Sequence, residues 1–195
     1  MGEPPEETRV QPVEVTCPGC FHPRTWDAVT ACPICKYRPQ TDRSGALLPV
    51  GTQLKRYVIG ENLGQGGFGI TFRGFDLKLH MKVAIKEYYP SDFVGRSTDR
   101  QTVVLNAREH EELFGYGLKT FLKEARTLAQ IKHPRVVRVL NYFEMNGTAY
   151  LAMDYLEGED LTAYLKRQPD GRLPWRRALA LLLPVLDGLR KVHEA

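Results

Sequence analysis

Leu63-Gly64-Gln65-Gly66-Gly67-Phe68-Gly69, followed by Val83-Ala84-Ile85-Lys86, is the stretch on which the fold and chemistry of this chain turn. Glycines let main-chain N–H groups approach phosphate oxygens that a Cβ would hold away. A lysine shortly downstream adds a point charge suited to the α- and β-phosphates. The two together predict a grip on a nucleotide triphosphate tail. A tight hairpin with no ligand is the plainer alternative, but four glycines in six residues exceed what a turn requires. A solvent lysine at a strand edge is the plain alternative for Lys86, whose place in the strand alternation instead aims it into a cleft.

The flanking residues alternate as short strands. Tyr57-Val58-Ile59 leads into the glycine turn, Ile70 to Phe75 leaves it, and Lys82 to Glu87 makes a third strand. The expected unit is a hairpin tipped by the glycine loop, with a neighbour. A helix is predicted from Leu118 to Ile131, with Leu118, Phe121, Leu122, Ala125, Leu128 and Ala129 as its apolar stripe. Glu124 lies on the flank of that stripe, from which its carboxylate can reach a lysine on the sheet. Pro134 stops the helix. Two more strands, Val136–Phe143 and Ala149–Asp154, are joined by the turn signal Met145-Asn146-Gly147. Asp160 to Arg167 reads as a short helix capped by Asp160, and Pro169-Asp170-Gly171 as a turn. A last helix starts near Pro174 with a stripe of Leu179, Leu182, Leu183, Leu186 and Leu189, and Pro184 inside it should remove a hydrogen bond and kink it.

Five strands, a helix after the third, a glycine loop between the first two and a third-strand lysine resemble the N-terminal lobe of eukaryotic-like protein kinases, bacterial Ser/Thr kinases above all. Leu63 to Phe72 follows the bacterial pattern, with Phe72 in place of tyrosine, and Met153-Asp154-Tyr155-Leu156 and His133-Pro134 extend the likeness over about residues 52–195. The resemblance implies an α+β fold: a five-stranded antiparallel sheet with one helix, the start of a helical lobe, and ATP with Mg²⁺ as ligand. It implies that Gly64, Gln65, Gly66, Gly67, Phe68 and Gly69 form the phosphate loop. Leu63 and Ala84 would line the adenine slot beside Thr71, which replaces the usual valine. Lys86 would hold the α/β-phosphates and pair with Glu124, an ion pair that reports the active arrangement. Met153 takes the gatekeeper place, the backbones of Asp154 and Leu156 would bond adenine, and Asp160 would reach ribose.

Two departures qualify this likeness. Residues 88–116, opening Tyr88-Tyr89-Pro90-Ser91, form an unusually long extension between Lys86 and the helix, expected to be a solvated loop rather than a docking surface. No His-Arg-Asp or Asp-Phe-Gly segment occurs. The base that accepts a hydroxyl proton and the Mg²⁺ ligands are therefore expected beyond Ala195, in a longer chain.

All four cysteines fall near the start, as Cys17-Pro18-Gly19-Cys20 and Cys32-Pro33-Ile34-Cys35. Two such knuckles can bring four thiolates onto a tetrahedral Zn²⁺, which would supply the folding energy that so small a module lacks. A redox dithiol would need a thioredoxin-like βαβ frame, absent around these pairs, and disulfides an oxidising compartment, for which no signal peptide argues. Structural zinc on Cys17, Cys20, Cys32 and Cys35, in a ribbon over residues 15–38, is the expectation. His22 and Trp26 are expected to pack on the knuckles rather than ligate.

Residues 1–14 are rich in proline and glutamate and predicted disordered, and residues 39–51 read as a linker. Hydrophobic content of 43% with 26% charged residues is that of a globular chain. A formal charge of +4 is too small and too evenly spread to argue for nucleic acid by itself. No apolar run reaches the roughly 20 residues of a membrane span, and the expected location is cytoplasmic, with a membrane anchor beyond Ala195 left open. Two functions compete: the ATP-binding part of a protein Ser/Thr kinase acting on protein hydroxyls, or a non-catalytic scaffold whose ribbon docks a partner. For the second, Arg24, Lys36 and Arg38 with Trp26 and Tyr37 make a faint basic-aromatic surface, suiting protein better than nucleic acid.

Overall fold

The computed structural model describes residues 17–23, 31–38 and 45–195. They belong to two compact units, within residues 1–41 and 42–195.

In the larger unit the elements are β1 (Gln53–Leu54), β2 (Tyr57–Gly66), β3 (Gly69–Asp76), β4 (Met81–Tyr88), β5 (Val94–Arg96), β6 (Val103–Leu105), α1 (Glu111–Gln130), β7 (Val139–Met145), β8 (Thr148–Asp154), α2 (Leu161–Lys166) and α3 (Trp175–His193). Six strands form one antiparallel sheet in the order β1-β2-β3-β4-β8-β7. The sheet thus has one strand more than expected. The addition, β1, pairs Gln53 with Val58 and Leu54 with Tyr57 on the outer edge of β2, and two residues are too few to show a period.

Strand alternation makes the sheet two-faced. One face gathers Ile59, Ile70, Phe72, Val83, Ile85 and Ala152, with Tyr57, Phe143 and Tyr150 stacked in series at 5.8 and 5.4 Å between ring centres. The other receives α1, whose Phe121, Leu122 and Ala125 bury against Tyr88, Ala149 and Leu151. Burying one such phenylalanine contributes about 1.5–3 kcal/mol. β7 and β8 are joined at Asn146 (φ 54°) and Gly147 (φ 72°), the paired left-handed residues that suit a two-residue hairpin turn.

Two expectations fail in the extension 88–116. First, α1 begins at Glu111 rather than Leu118. Gly115 and Gly117 hide its opening turns from the periodicity. Gly117 is required there because a Cβ would stand 2.1 Å from the Tyr88 hydroxyl oxygen. Glu111 and Glu112 in the first turn favour the start electrostatically. Second, the extension is no solvated loop. β5 and β6 form their own hairpin, and Val94 and Val103 are buried in the sheet's core.

α2 is capped as expected, the Asp160 carboxylate accepting from the Ala163 N–H at 2.7 Å. α3 runs unbroken through Pro184. Its stripe leucines are exposed, while Gly188 lies against Arg135 and Asp187 meets His133 at 3.0 Å, tying α3 to the loop after α1.

In the smaller unit the two knuckles repeat one backbone design. Phe21 N–H donates to Cys17 O and Lys36 N–H to Cys32 O, both at 2.7 Å. The donors have φ of 58° and 62°. Arg24 and Trp26 lie outside the described residues.

Candidate functional site

The register of the sheet assembles the site. Gly64 pairs with Thr71, Thr71 with Lys86, Lys86 with Leu151 and Leu151 with Tyr142. Directly paired residues share a face, so this row lies on the face that α1 covers. Ala84, two residues before Lys86, pairs with Met153 on the same face. The glycine loop, Thr71, Ala84, Lys86 and Met153 are thereby brought to one surface, although the last two lie 67 positions apart.

β2 ends at Gly66 and β3 begins at Gly69, leaving Gly67 and Phe68 as the tip, with Phe68 78% exposed. The glycines divide into two kinds. A Cβ on Gly69 would stand 2.5 Å from the Glu87 carbonyl oxygen, so close packing demands glycine. A Cβ on Gly64, Gly66 or Gly67 would meet no atom within 4 Å, and none of the three has a left-handed φ. Neither packing nor backbone conformation accounts for glycine at those positions. A backbone left bare toward open space is what a close-approaching ligand needs.

Behind the tip lies a cavity of about 400 Å³ lined by Phe68, Lys86, Tyr88, Phe121 and Glu124 among others. The Lys86 ammonium sits over the Phe121 ring, 5.8 Å from its centre. Among the described residues it makes no ion pair with Glu124, contrary to expectation. Phe121, nearly one turn ahead of Glu124 on α1, holds the ammonium by cation–π attraction, and the Glu124 side is left exposed. Leu63 is 40% and Leu156 74% exposed. Leu156 and Asp160 belong to the segment between β8 and α2, outside that cavity.

Sequence reasoning missed how this connecting segment is moored. Arg138 makes two bonds to the Asp154 carboxylate at 3.1 and 3.2 Å, and its carbonyl accepts the Asp154 N–H. Arg73 donates to the Tyr155 hydroxyl at 2.6 Å, and Lys82 pairs with Glu157 at 2.7 Å. It also missed Glu87, fully buried beside Lys86 in β4 but facing the opposite core. Burial pushes the Glu87 carboxyl above the usual carboxylate range, opposed by Arg96 and the Tyr150 hydroxyl. No motif announces such groups, whose partners come from distant strands.

The four cysteines form the second candidate site. Cys17 and Cys35 sulfurs lie 3.6 Å apart, Cys20 and Cys32 sulfurs 3.9 Å, and all four fall within 4.8 Å of one another. A tetrahedron with metal–sulfur bonds of about 2.3 Å has edges of about 3.8 Å, so the quartet fits a single metal ion. These separations are far beyond a disulfide bond, and the thiols are free. Backbone N–H groups of Cys35 and Ile34 pull the Cys32 thiol down to about 6, against the effect of burial, while burial raises Cys17, Cys20 and Cys35. His22 points its Nδ1 at the Pro23 carbonyl, 3.0 Å away, and is no member of the quartet. Gly19 lets the knuckles meet: a Cβ there would stand 2.7 Å from Tyr37 Cβ and 2.9 Å from Cys35 Sγ.

The family model for the protein kinase domain matches residues 57–195. Serine/threonine-protein kinase PknA of Mycobacterium tuberculosis is 34% identical over 152 residues, 75% of this chain and 30% of its own. Serine/threonine-protein kinase B of Synechocystis is 30% identical over 179 residues, 87% of this chain and 25% of its own, a share that reaches upstream of Tyr57. Among solved structures, PpkA-294 in its apo form superposes with a TM-score of 0.60 at 37% identity, covering 64% of this chain and 44% of that one. The chain spans 14–30% of the length of the curated relatives it matches.

Proposed function

This chain belongs to the protein kinase family, and from that premise we propose that it is the ATP-binding part of a serine/threonine kinase that transfers the γ-phosphoryl group to protein hydroxyls. The observation that carries this reading is the bare backbone at Gly64, Gly66 and Gly67, with Lys86 on the same face. Amides at the tip would cradle the polyphosphate of Mg²⁺–ATP, and Lys86 would leave Phe121 to meet the α- and β-phosphates. Glu124, already on the wall of the same cavity, would then orient the lysine. Ala84 and Met153, paired across β4 and β8, would face the adenine ring, Leu63 and Thr71 flanking it. The backbones of Asp154 and Leu156 would bond the base. Asp160 has one carboxylate oxygen engaged in the α2 cap, and its other oxygen would serve the ribose. Such a site works by positioning and charge, which is most of what phosphoryl transfer asks of a protein.

Two glycine variants test the reading in the full-length protein. Gly66→Ala is expected to leave Tm unchanged or slightly raised, since alanine narrows the unfolded ensemble, while the dissociation constant for Mg²⁺–ATP rises about tenfold, a loss near 1.4 kcal/mol. Gly69→Ala is expected to lower stability by about 1–3 kcal/mol through collision with the Glu87 carbonyl. Thermal melting and nucleotide titration read both. Undiminished ATP affinity in Gly66→Ala, or no affinity in the wild type, would overturn the assignment.

The cysteine quartet we assign to structural Zn²⁺, held by Cys17, Cys20, Cys32 and Cys35, and its unit to docking a regulatory protein partner. Four sulfur donors with tetrahedral edges suit zinc. Free thiols so arranged suit a reducing compartment, and no described helix is long and apolar enough to cross a membrane. Both support a cytoplasmic location.

A further inference from the structure

Arg96, from the extension, is almost wholly buried at 2% exposure, and its partner Glu87 is fully so. The pair is bidentate: Nη2 to Oε2 at 2.5 Å and Nη1 to Oε1 at 3.0 Å. Two further N–H groups are also engaged, Nε to the Ala46 carbonyl at 2.6 Å and Nη1 to the Gln101 carbonyl at 3.1 Å. The guanidinium stacks over Tyr89, 4.9 Å from the ring centre, and Tyr150 donates to Glu87 Oε1 at 2.9 Å. Ala46, the end of β4, the extension and β8 thus converge on one ion pair, with Arg96 and Tyr150 on the carboxylate and Ala46 and Gln101 on the guanidinium. A buried charge pair costs desolvation that an apolar pair of similar volume avoids, so stability alone is a weak reason for its presence.

Its place in the strand supplies a stronger one. Glu87 directly follows Lys86, and its backbone carbonyl is the atom that Gly69 packs against. Two residues on, the Tyr89 N–H donates to the carbonyl of Phe68 at the loop tip, 3.2 Å away. The end of β4 therefore carries the lysine on one face, props the glycine tip through its own backbone and that of Tyr89 just after it, and is fastened through Glu87 on the other face. We propose that Arg96 is a positioning residue for ATP, clamping Glu87 so that Lys86 and the glycine tip are held in a fixed relation, and that the β5–β6 hairpin serves to deliver it.

This inference rests on the nucleotide-binding reading above, and the test separates the two. In the full-length protein, Arg96→Lys keeps a positive charge but cannot span Glu87, Ala46 and Gln101 together. The double variant Glu87→Gln with Arg96→Gln removes both charges, leaving neither stranded in the core. Melting reports folding, and Mg²⁺–ATP titration reports the site. The expected result is a cooperative melt with ATP affinity weakened about tenfold in both variants, and KM for ATP raised more than KM for the protein substrate. A purely structural pair would leave the ATP affinity of the folded molecules unchanged. ATP affinity within twofold of wild type in either folded variant overturns the proposal, as does loss of cooperative melting in both, which assigns the pair to the fold alone. Absence of ATP binding by the wild type strikes the underlying reading instead.

Discussion

Lys86→Met in the full-length protein is expected to abolish detectable autophosphorylation, a fall of at least about a hundredfold, while Tm stays near that of the wild type. Removing one preorganised charge or donor from a transition-state site costs about 2.7–4 kcal/mol, or 10²–10³ in rate. Methionine keeps the apolar stem and can rest against Phe121 as the lysine does. The lysine has no ion pair among the described residues, so little folding energy is at stake; its energetic role would come with the polyphosphate. The outcome to look for is lost phosphate incorporation in a protein that melts normally. Wild-type activity would remove the role assigned to Lys86, and a collapse of Tm would show it serving the core.

Stripping metal from the cysteine unit should have the largest effect on stability. Structural zinc sites contribute on the order of 10–16 kcal/mol to the folding of small modules, far more than the few buried residues among those described in this unit can supply. About one zinc per chain should be measured by elemental analysis, and a strong chelator should release it and unfold this unit. Cys17→Ser or Cys35→Ser should lose the metal, the two being neighbours across the quartet at 3.6 Å. Gly19→Ala should weaken retention of the metal with all four sulfurs present, because its Cβ would press on Cys35 Sγ. Metal-free protein with an intact, folded unit and free thiols would overturn the zinc assignment.

Most of the strands were legible because they rest on short-range signals. The glycine hairpin, the Asn146-Gly147 turn and the Asp160 cap each need only neighbouring residues. The boundaries of α1 were not, since Gly115 and Gly117 break the apolar period, and what calls for Gly117, the Tyr88 hydroxyl, comes from another element. The extension reads as a loop because its two strands are three residues each, too short to show a period. Phe121 was recognised as core, but its hold on Lys86 was invisible without knowing the rotation of α1 against β4.

Spacing and residue type alone specified a phosphate loop with a lysine behind it and a cysteine quartet of metal-ligand pattern, because those signals are carried by chemistry within a few residues. The fold settled what depends on distance: that Gly64, Thr71, Lys86 and Leu151 stand in one row, that three glycines face open space while a fourth meets a carbonyl, and that Arg96 is sunk against Glu87. Strand register and packing bring together groups tens of residues apart, and a one-residue slip would send every such side chain to the other face.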